Sequence, residues 1–101
     1  MIVLIKAKEY HNNGNLIFEG EYLNGKRNGK GKEYYYYNGQ LKFEGEHLNG
    51  KRNGKGKEYD WDGQLKFEGE YLNHKYNGNG YDENGNIIYE LINGTGKGKE
   101  K

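Results

Sequence analysis

Leu41, Phe43, Gly45 and His47 fall on one side of an alternation whose other side is Lys42, Glu44 and Glu46. A period of two residues belongs to a β-strand, whose successive side chains project to opposite faces; a helix would repeat every 3.6 residues. The same face recurs as Leu16-Phe18-Gly20-Tyr22 and as Leu65-Phe67-Gly69-Tyr71. An Asn-Gly or Asp-Gly pair precedes each run: Asn13-Gly14, Asn38-Gly39, Asp62-Gly63 and, further on, Asn84-Gly85. Between strand-like runs these pairs predict type I′ hairpin turns, because both central residues need positive φ. In the second unit the turn is expected to join a strand at Tyr34–Tyr37 to one at Leu41–Leu48. The four consecutive tyrosines do not alternate, so the facing of that first strand stays open. A glycine on the apolar face weakens a strand unless something occupies its place. At Gly20, Gly45 and Gly69 the expected occupant is an aromatic ring from a neighbouring strand: Tyr34, Tyr36, Tyr59 or Trp61.

The hairpins repeat. Asn24 to Tyr34 recurs unchanged as Asn49 to Tyr59, and Gly39 to Glu46 as Gly63 to Glu70. Weaker copies flank them, Lys8-Glu9-Tyr10 with Phe18-Glu19-Gly20-Glu21 before and Asn79-Gly80-Tyr81 with Ile87 and Tyr89-Glu90 after. The period of 24 or 25 residues divides the chain into units at about 6–29, 30–54, 55–78 and 79–101 within one domain, 1–101. The predicted class is all-β: an elongated, single-layer antiparallel sheet of tandem β-hairpin repeats. At about 4.8 Å per strand and two strands per unit, the sheet should be roughly 40 Å long.

Composition supports a thin sheet. Only 32% of the chain is hydrophobic, too little for a two-layer core, yet 15% is aromatic, which opposes disorder. Rings covering one sheet reconcile the two. Proline is absent, as ladders that need every N–H require. The net charge of +1 favours neither nucleic acid nor an acidic partner in bulk. Without cysteine there is no disulfide framework or thiolate metal site, which suits a reducing compartment. Ile2–Ile5 is too short an apolar run for a signal peptide or a membrane span, so a cytoplasmic protein is expected.

Phe43-Glu44-Gly45-Glu46, followed by Gly50-Lys51 and Gly54-Lys55-Gly56, resembles the MORN repeat, whose pattern is aromatic-x-Gly, then Gly-Lys, then Gly-x-Gly. The resemblance covers nearly the whole chain. It implies a twisted single sheet of antiparallel hairpins serving as an assembly or membrane-proximal scaffold, often dimeric, hence association with a membrane or the cytoskeleton. The spacing here is slightly longer than the family's, and Leu91 stands at the Gly45 position of the last unit, which marks a cap or a degenerate end.

Lys26-Arg27-Asn28-Gly29-Lys30-Gly31-Lys32 and its copy at 51–57 read as basic loops on one edge of the sheet. An anionic partner, phospholipid headgroups or an acidic protein, would then meet Lys26, Arg27, Lys30, Lys51, Arg52 and Lys55. The plainer alternative is solvated turns, with Lys32 and Lys57 paired across strands to Glu44, Glu46, Glu68 or Glu70. The aromatics Tyr22, His47, Tyr71, Tyr36 and Trp61 form a second candidate surface, for a protein partner, against the alternative that they are the core. Exposed sheet edges, Ile2–Ile5 above all, would support self-association. No catalytic residue, metal site or cofactor is expected. The repeated Glu pairs are alike in environment, the histidines lack ligand spacing, serine and cysteine are absent, and neither nucleotide-loop pattern occurs. Stacking of single-stranded nucleic acid is opposed by the interleaved glutamates. The function expected is a protein-binding, scaffolding module, with peripheral membrane attachment through the basic loops as the alternative.

Overall fold

A computed structural model of the protein describes residues 4–72, 75–92 and 95–98. Within them nine strands follow one another: β1 Leu4–Tyr10, β2 Leu16–Leu23, β3 Lys26–Tyr34, β4 Leu41–Leu48, β5 Lys51–Tyr59, β6 Leu65–Leu72, β7 Lys75–Tyr81, β8 Ile87–Ile92 and β9 Thr95–Gly98. Each pairs antiparallel with its neighbours in chain order, so the sheet is an open meander of hairpins. Its extents are 50 × 31 × 16 Å, those of a ribbon one sheet thick.

The even strands coincide with the alternating runs read from the sequence. The odd strands do not. Lys26–Lys32 and Lys51–Lys57 are strand residues of β3 and β5 rather than loops, and of the four tyrosines only Tyr34 belongs to a strand. These segments lack an apolar alternation because glycines and ion-paired side chains fill the places that apolar residues would take.

The turns are also redistributed. Asn24 and Gly25 (φ 50° and 82°), like Asn49 and Gly50 (51° and 84°), have both central residues at positive φ. These are the two-residue type I′ turns, at β2–β3 and β4–β5. At Gly14, Gly39, Gly63 and Gly85 only the glycine is at positive φ, within longer loops. In the first of these Gly14 N–H donates to His11 O at 2.8 Å, and the Asn13 carboxamide oxygen accepts from Asn15 N–H at 2.9 Å. Asn and Asp serve there as Asx-turn acceptors, a role that leaves the same dipeptide in the sequence.

One row of residues runs across all nine strands: Ala7, Gly20, Gly31, Gly45, Gly56, Gly69, Gly78, Leu91 and Gly96, each the cross-strand partner of the next. What fills the glycine positions differs from the expected foreign rings. A Cβ on Gly45 would stand 2.5 Å from Lys55 O and 2.6 Å from Gly56 Cα, so the occupant is the backbone of β5. Gly31 and Gly56 have a different task. Their Cβ atoms would lie 2.4 Å from the Phe18 ring and 2.5 Å from the Phe43 ring, with His47 and Tyr71 at 3.3 and 3.2 Å. Rings of flanking even strands therefore meet over a bare glycine of the odd strand between them.

That passage creates the core. Phe18, Tyr22, Phe43, His47, Phe67 and Tyr71 are buried on one face. They form an edge-to-face chain: Tyr22–Phe18 (5.5 Å), Phe18–His47 (5.2 Å), His47–Phe43 (5.4 Å), Phe43–Tyr71 (5.3 Å) and Tyr71–Phe67 (5.8 Å). Such contacts contribute about 0.5–1.5 kcal/mol each beyond the area they bury. Tyr89 stacks on Phe67 and, with Leu91, extends the layer into β8.

Candidate functional site

The two faces of the sheet carry different chemistry. On the aromatic face Arg27 lies 4.1 Å above the Phe18 ring and pairs with Glu9 at 2.8 Å. Arg52 repeats this, 4.2 Å above Phe43 and 2.9 Å from Glu33, and also reaches Glu58. In the third unit Tyr76 stands in the arginine's register place, opposite Tyr71, and its ring lies 4.7 Å from that of Tyr71. Burial alone would raise the Glu33 carboxyl, but the hydrogen bonds of His47 and Arg52 outweigh it and hold its pKa at about 2. Burial, helped by the adjacent Glu9 carboxylate, pushes the Tyr22 hydroxyl up to about 12, so it stays a donor to that carboxylate.

His47 occupies the place of Tyr22 and Tyr71. Its Nε2 lies 3.1 Å from Glu33, while Nδ1 is buried with no hydrogen-bond partner among the described residues. The Tyr71 hydroxyl is likewise buried without a partner among the described residues, but a tyrosine at 47 has Glu33 within reach, as Tyr22 has Glu9, and would remove the orphaned nitrogen, whose burial costs about 1–3 kcal/mol. His47→Tyr is therefore expected to raise the melting temperature by several degrees, measured by circular dichroism.

The opposite face is built of charge ladders. Cross-strand neighbours read Lys8, Glu19, Lys32, Glu44, Lys57, Glu68 on one side of the glycine column. On the other side Lys6 faces Glu21, Lys30 faces Glu46 and Lys55 faces Glu70. Between the ladders the column residues turn toward the aromatic face, so this surface sinks into a trough of about 940 Å³ over β1–β5, with a further 510 Å³ along β4–β6. At β2–β3 and β4–β5 a bulge inserts Asn28–Lys30 or Asn53–Lys55, with Gly29 and Gly54 at φ of 100° and 98°. The carboxylates of Glu21 and Glu46 accept the exposed amides of Lys30 (2.7 Å) and Lys55 (2.9 Å) there. Glu19 accepts from the Tyr34 hydroxyl at 2.6 Å, and Glu44 from Tyr59 at 3.4 Å. These four glutamates are thus engaged by the chain's own donors. Lys57 and Glu68 lie 3.8 Å apart. Among the described residues no ion pair holds the ammonium groups of Lys8, Lys30, Lys32 or Lys55.

The six cations expected to share one surface are spread over three places. Lys26 and Lys51 are exposed at the type I′ turns, Arg27 and Arg52 are half-buried on the aromatic face, and Lys30 and Lys55 line the trough. Alternation of the strand that holds them divides them. The expected aromatic surface also splits: Tyr22, His47 and Tyr71 are buried, whereas Tyr36 and Trp61 are exposed in loops. Exposure of Leu4 and Ile5 on β1 fits the expected apolar edge, whose residues 2 and 3 lie outside the described ones. Glu9 and Glu33, which fasten the arginines, and Lys8, which lines the trough with Lys32, were not singled out from the sequence. Their signal is the Lys-Glu-Tyr triplet at 8–10, 32–34 and 57–59: in each, lysine and glutamate face opposite ways.

Residues 5–24 and 52–73 match the family described as MORN repeat variant. The two segments are equivalent hairpins, β1–β2 and β5–β6. The unmatched hairpin between them, β3–β4, is longer by one loop residue, Tyr35–Gln40 against Asp60–Gln64. No curated protein and no solved structure gives a significant match.

Proposed function

Since the chain belongs to the MORN-repeat family, we propose that it is a non-catalytic scaffold that binds a protein partner, with an acidic segment of that partner lying in the trough. One observation carries this reading: the carboxylates of Glu19, Glu21, Glu44 and Glu46 are engaged within the chain, while among the described residues no ion pair holds Lys8, Lys30, Lys32 or Lys55. The ammonium groups recur every second strand, roughly 10 Å along the trough, on both sides of a floor of glycines and Ala7. A narrow chain segment can enter such a trough; a flat bilayer cannot. The turn edge offers a bilayer one lysine position per unit, at Lys26, Lys51 and Lys75, because Arg27 and Arg52 are turned onto phenylalanine rings.

A labelled peptide of alternating Glu and Ala tests the proposal by fluorescence anisotropy. Replacing Lys30, Lys32 and Lys55 together by Gln is expected to weaken binding at least tenfold and to flatten its salt dependence, whereas Lys26→Gln with Lys51→Gln changes little. Phosphatidylserine vesicles supply the competing arm. Co-sedimentation abolished by the Lys26 and Lys51 changes, with no peptide binding, would replace this reading by membrane attachment.

A further inference from the structure

We infer that the loop edge of the sheet is a second recognition surface, one that takes an arginine-rich peptide segment. The meander places the four longer loops, His11–Asn15, Tyr35–Gln40, Asp60–Gln64 and Asp82–Asn86, on one edge, and the type I′ turns with Lys26 and Lys51 on the other. Those loops contain four carboxylates, Asp60, Asp62, Asp82 and Glu83, and no lysine or arginine. The near-zero net charge thus conceals a sheet polarised across its width, basic at the turns and acidic at the loops.

The loop edge also carries three of the exposed aromatics. Tyr36, Tyr37 and Trp61 are 49, 55 and 63% exposed, an uncommon state for rings in a chain this poor in apolar residues. They are held in place. The side-chain amides of Asn13 and Asn15 donate to Tyr36 O at 3.1 and 2.7 Å, and the Asn38 amide donates to Trp61 O at 2.8 Å. The Tyr35 hydroxyl donates to Tyr59 O at 2.7 Å, and His11 stacks on Tyr36 at 4.6 Å. The first three loops are thereby tied one to the next, which fixes the backbone that carries Tyr36 and Trp61 and lowers the loss of freedom on binding. A cleft of about 410 Å³ opens beside Tyr37, between it, Leu16 and Tyr34.

Rings that face water beside carboxylates suit a cation that is planar and weakly hydrated, which describes guanidinium better than ammonium. The molecule already uses the pairing internally, Arg27 on Phe18 and Arg52 on Phe43. Asp82 accepts the Asn84 and Asn86 amides of its own loop, and one oxygen of Asp62 accepts the Gln64 amide at 3.2 Å, so Asp60 and the second oxygen of Asp62, on either side of Trp61, are assigned to the ligand. This surface is independent of the trough and has the opposite charge preference.

Trp61 is the single tryptophan and sits in the site, so its emission reports occupancy directly. A twelve-residue Arg-Gly repeat peptide, titrated into the full chain, is expected to shift that emission, and a Lys-Gly peptide to bind more weakly. By calorimetry, Trp61→Ala and the pair Asp60→Asn with Asp62→Asn should each weaken the Arg-Gly peptide at least fivefold, while Lys30→Gln with Lys55→Gln leaves it unchanged. Equal affinity for a Glu-Gly peptide, undiminished binding to Trp61→Ala, or an emission shift obtained with phosphatidylcholine vesicles and not with peptide would each overturn the assignment.

Discussion

Gly45→Val is expected to lower the melting temperature by about 15 °C or more, and to do so against the sign of its strand propensity. Valine favours strands where a pleated surface has room for it. Here the first atom beyond Cα would lie 2.5 Å from Lys55 O and 2.6 Å from Gly56 Cα, and both are main-chain atoms that cannot rotate aside. Overpacking typically costs about 1–3 kcal/mol, and more where backbone must move. A domain of this size loses roughly 4–8 °C per kcal/mol. Since each hairpin touches only its neighbours, a break between β4 and β5 divides the array, and unfolding should lose cooperativity. Gly45→Ala and Gly25→Ala separate sterics from backbone conformation. Gly25 is at φ 82° and a methyl group there would meet nothing within 4 Å, so alanine costs only the conformational penalty of about 1–2 kcal/mol. Thermal melts followed by circular dichroism should rank Gly45→Ala well below Gly25→Ala. Equal melting of the two would mean that the glycine column is not a line of contact.

The contrast between even and odd strands explains what the sequence disclosed. Leu41–Leu48 announces itself because Phe43 and His47 are buried while Lys42 and Glu46 are exposed, so hydrophobic alternation and strand facing are the same signal. Lys51–Tyr59 is just as much a strand, but Gly56 stands where a core residue would be and Arg52 reaches the core face by stacking on Phe43. Hydropathy scores both as loop. The turn error has a similar origin: Asn-Gly satisfies a type I′ turn through φ and a longer loop through an Asx acceptor, and only loop length distinguishes them. The trough was invisible for a different reason. It depends on register, which places six separate Lys-x-Lys or Glu-x-Glu pairs about a single column, and a one-residue slip in any hairpin would scatter them.

Glu33 should make the array acid-labile through its middle. The carboxyl is held at about 2 from an ordinary 4.5, burial opposing and the His47 and Arg52 hydrogen bonds prevailing. A depressed carboxyl contributes stability that is fully present above its unfolded pKa and is lost as pH falls through the folded one, here between about 4.5 and 2. The shift corresponds to roughly 3 kcal/mol, an order-of-magnitude figure. Glu33→Gln removes that contribution and leaves Arg52 with Glu58 alone, so urea unfolding at pH 7 should show a loss of about 2–3 kcal/mol. At pH 2.5 the unaltered protein has surrendered most of the same stabilisation, and the two proteins should nearly coincide. Glu70→Gln, on the exposed trough face, should track the unaltered protein throughout. The physical content lies in the convergence: a gap between Glu33→Gln and the parent that stays constant from pH 7 to 2.5 would show that glutamine merely disturbs the packing between Phe18 and Phe43, and that the buried ion cluster does not hold the central hairpins together.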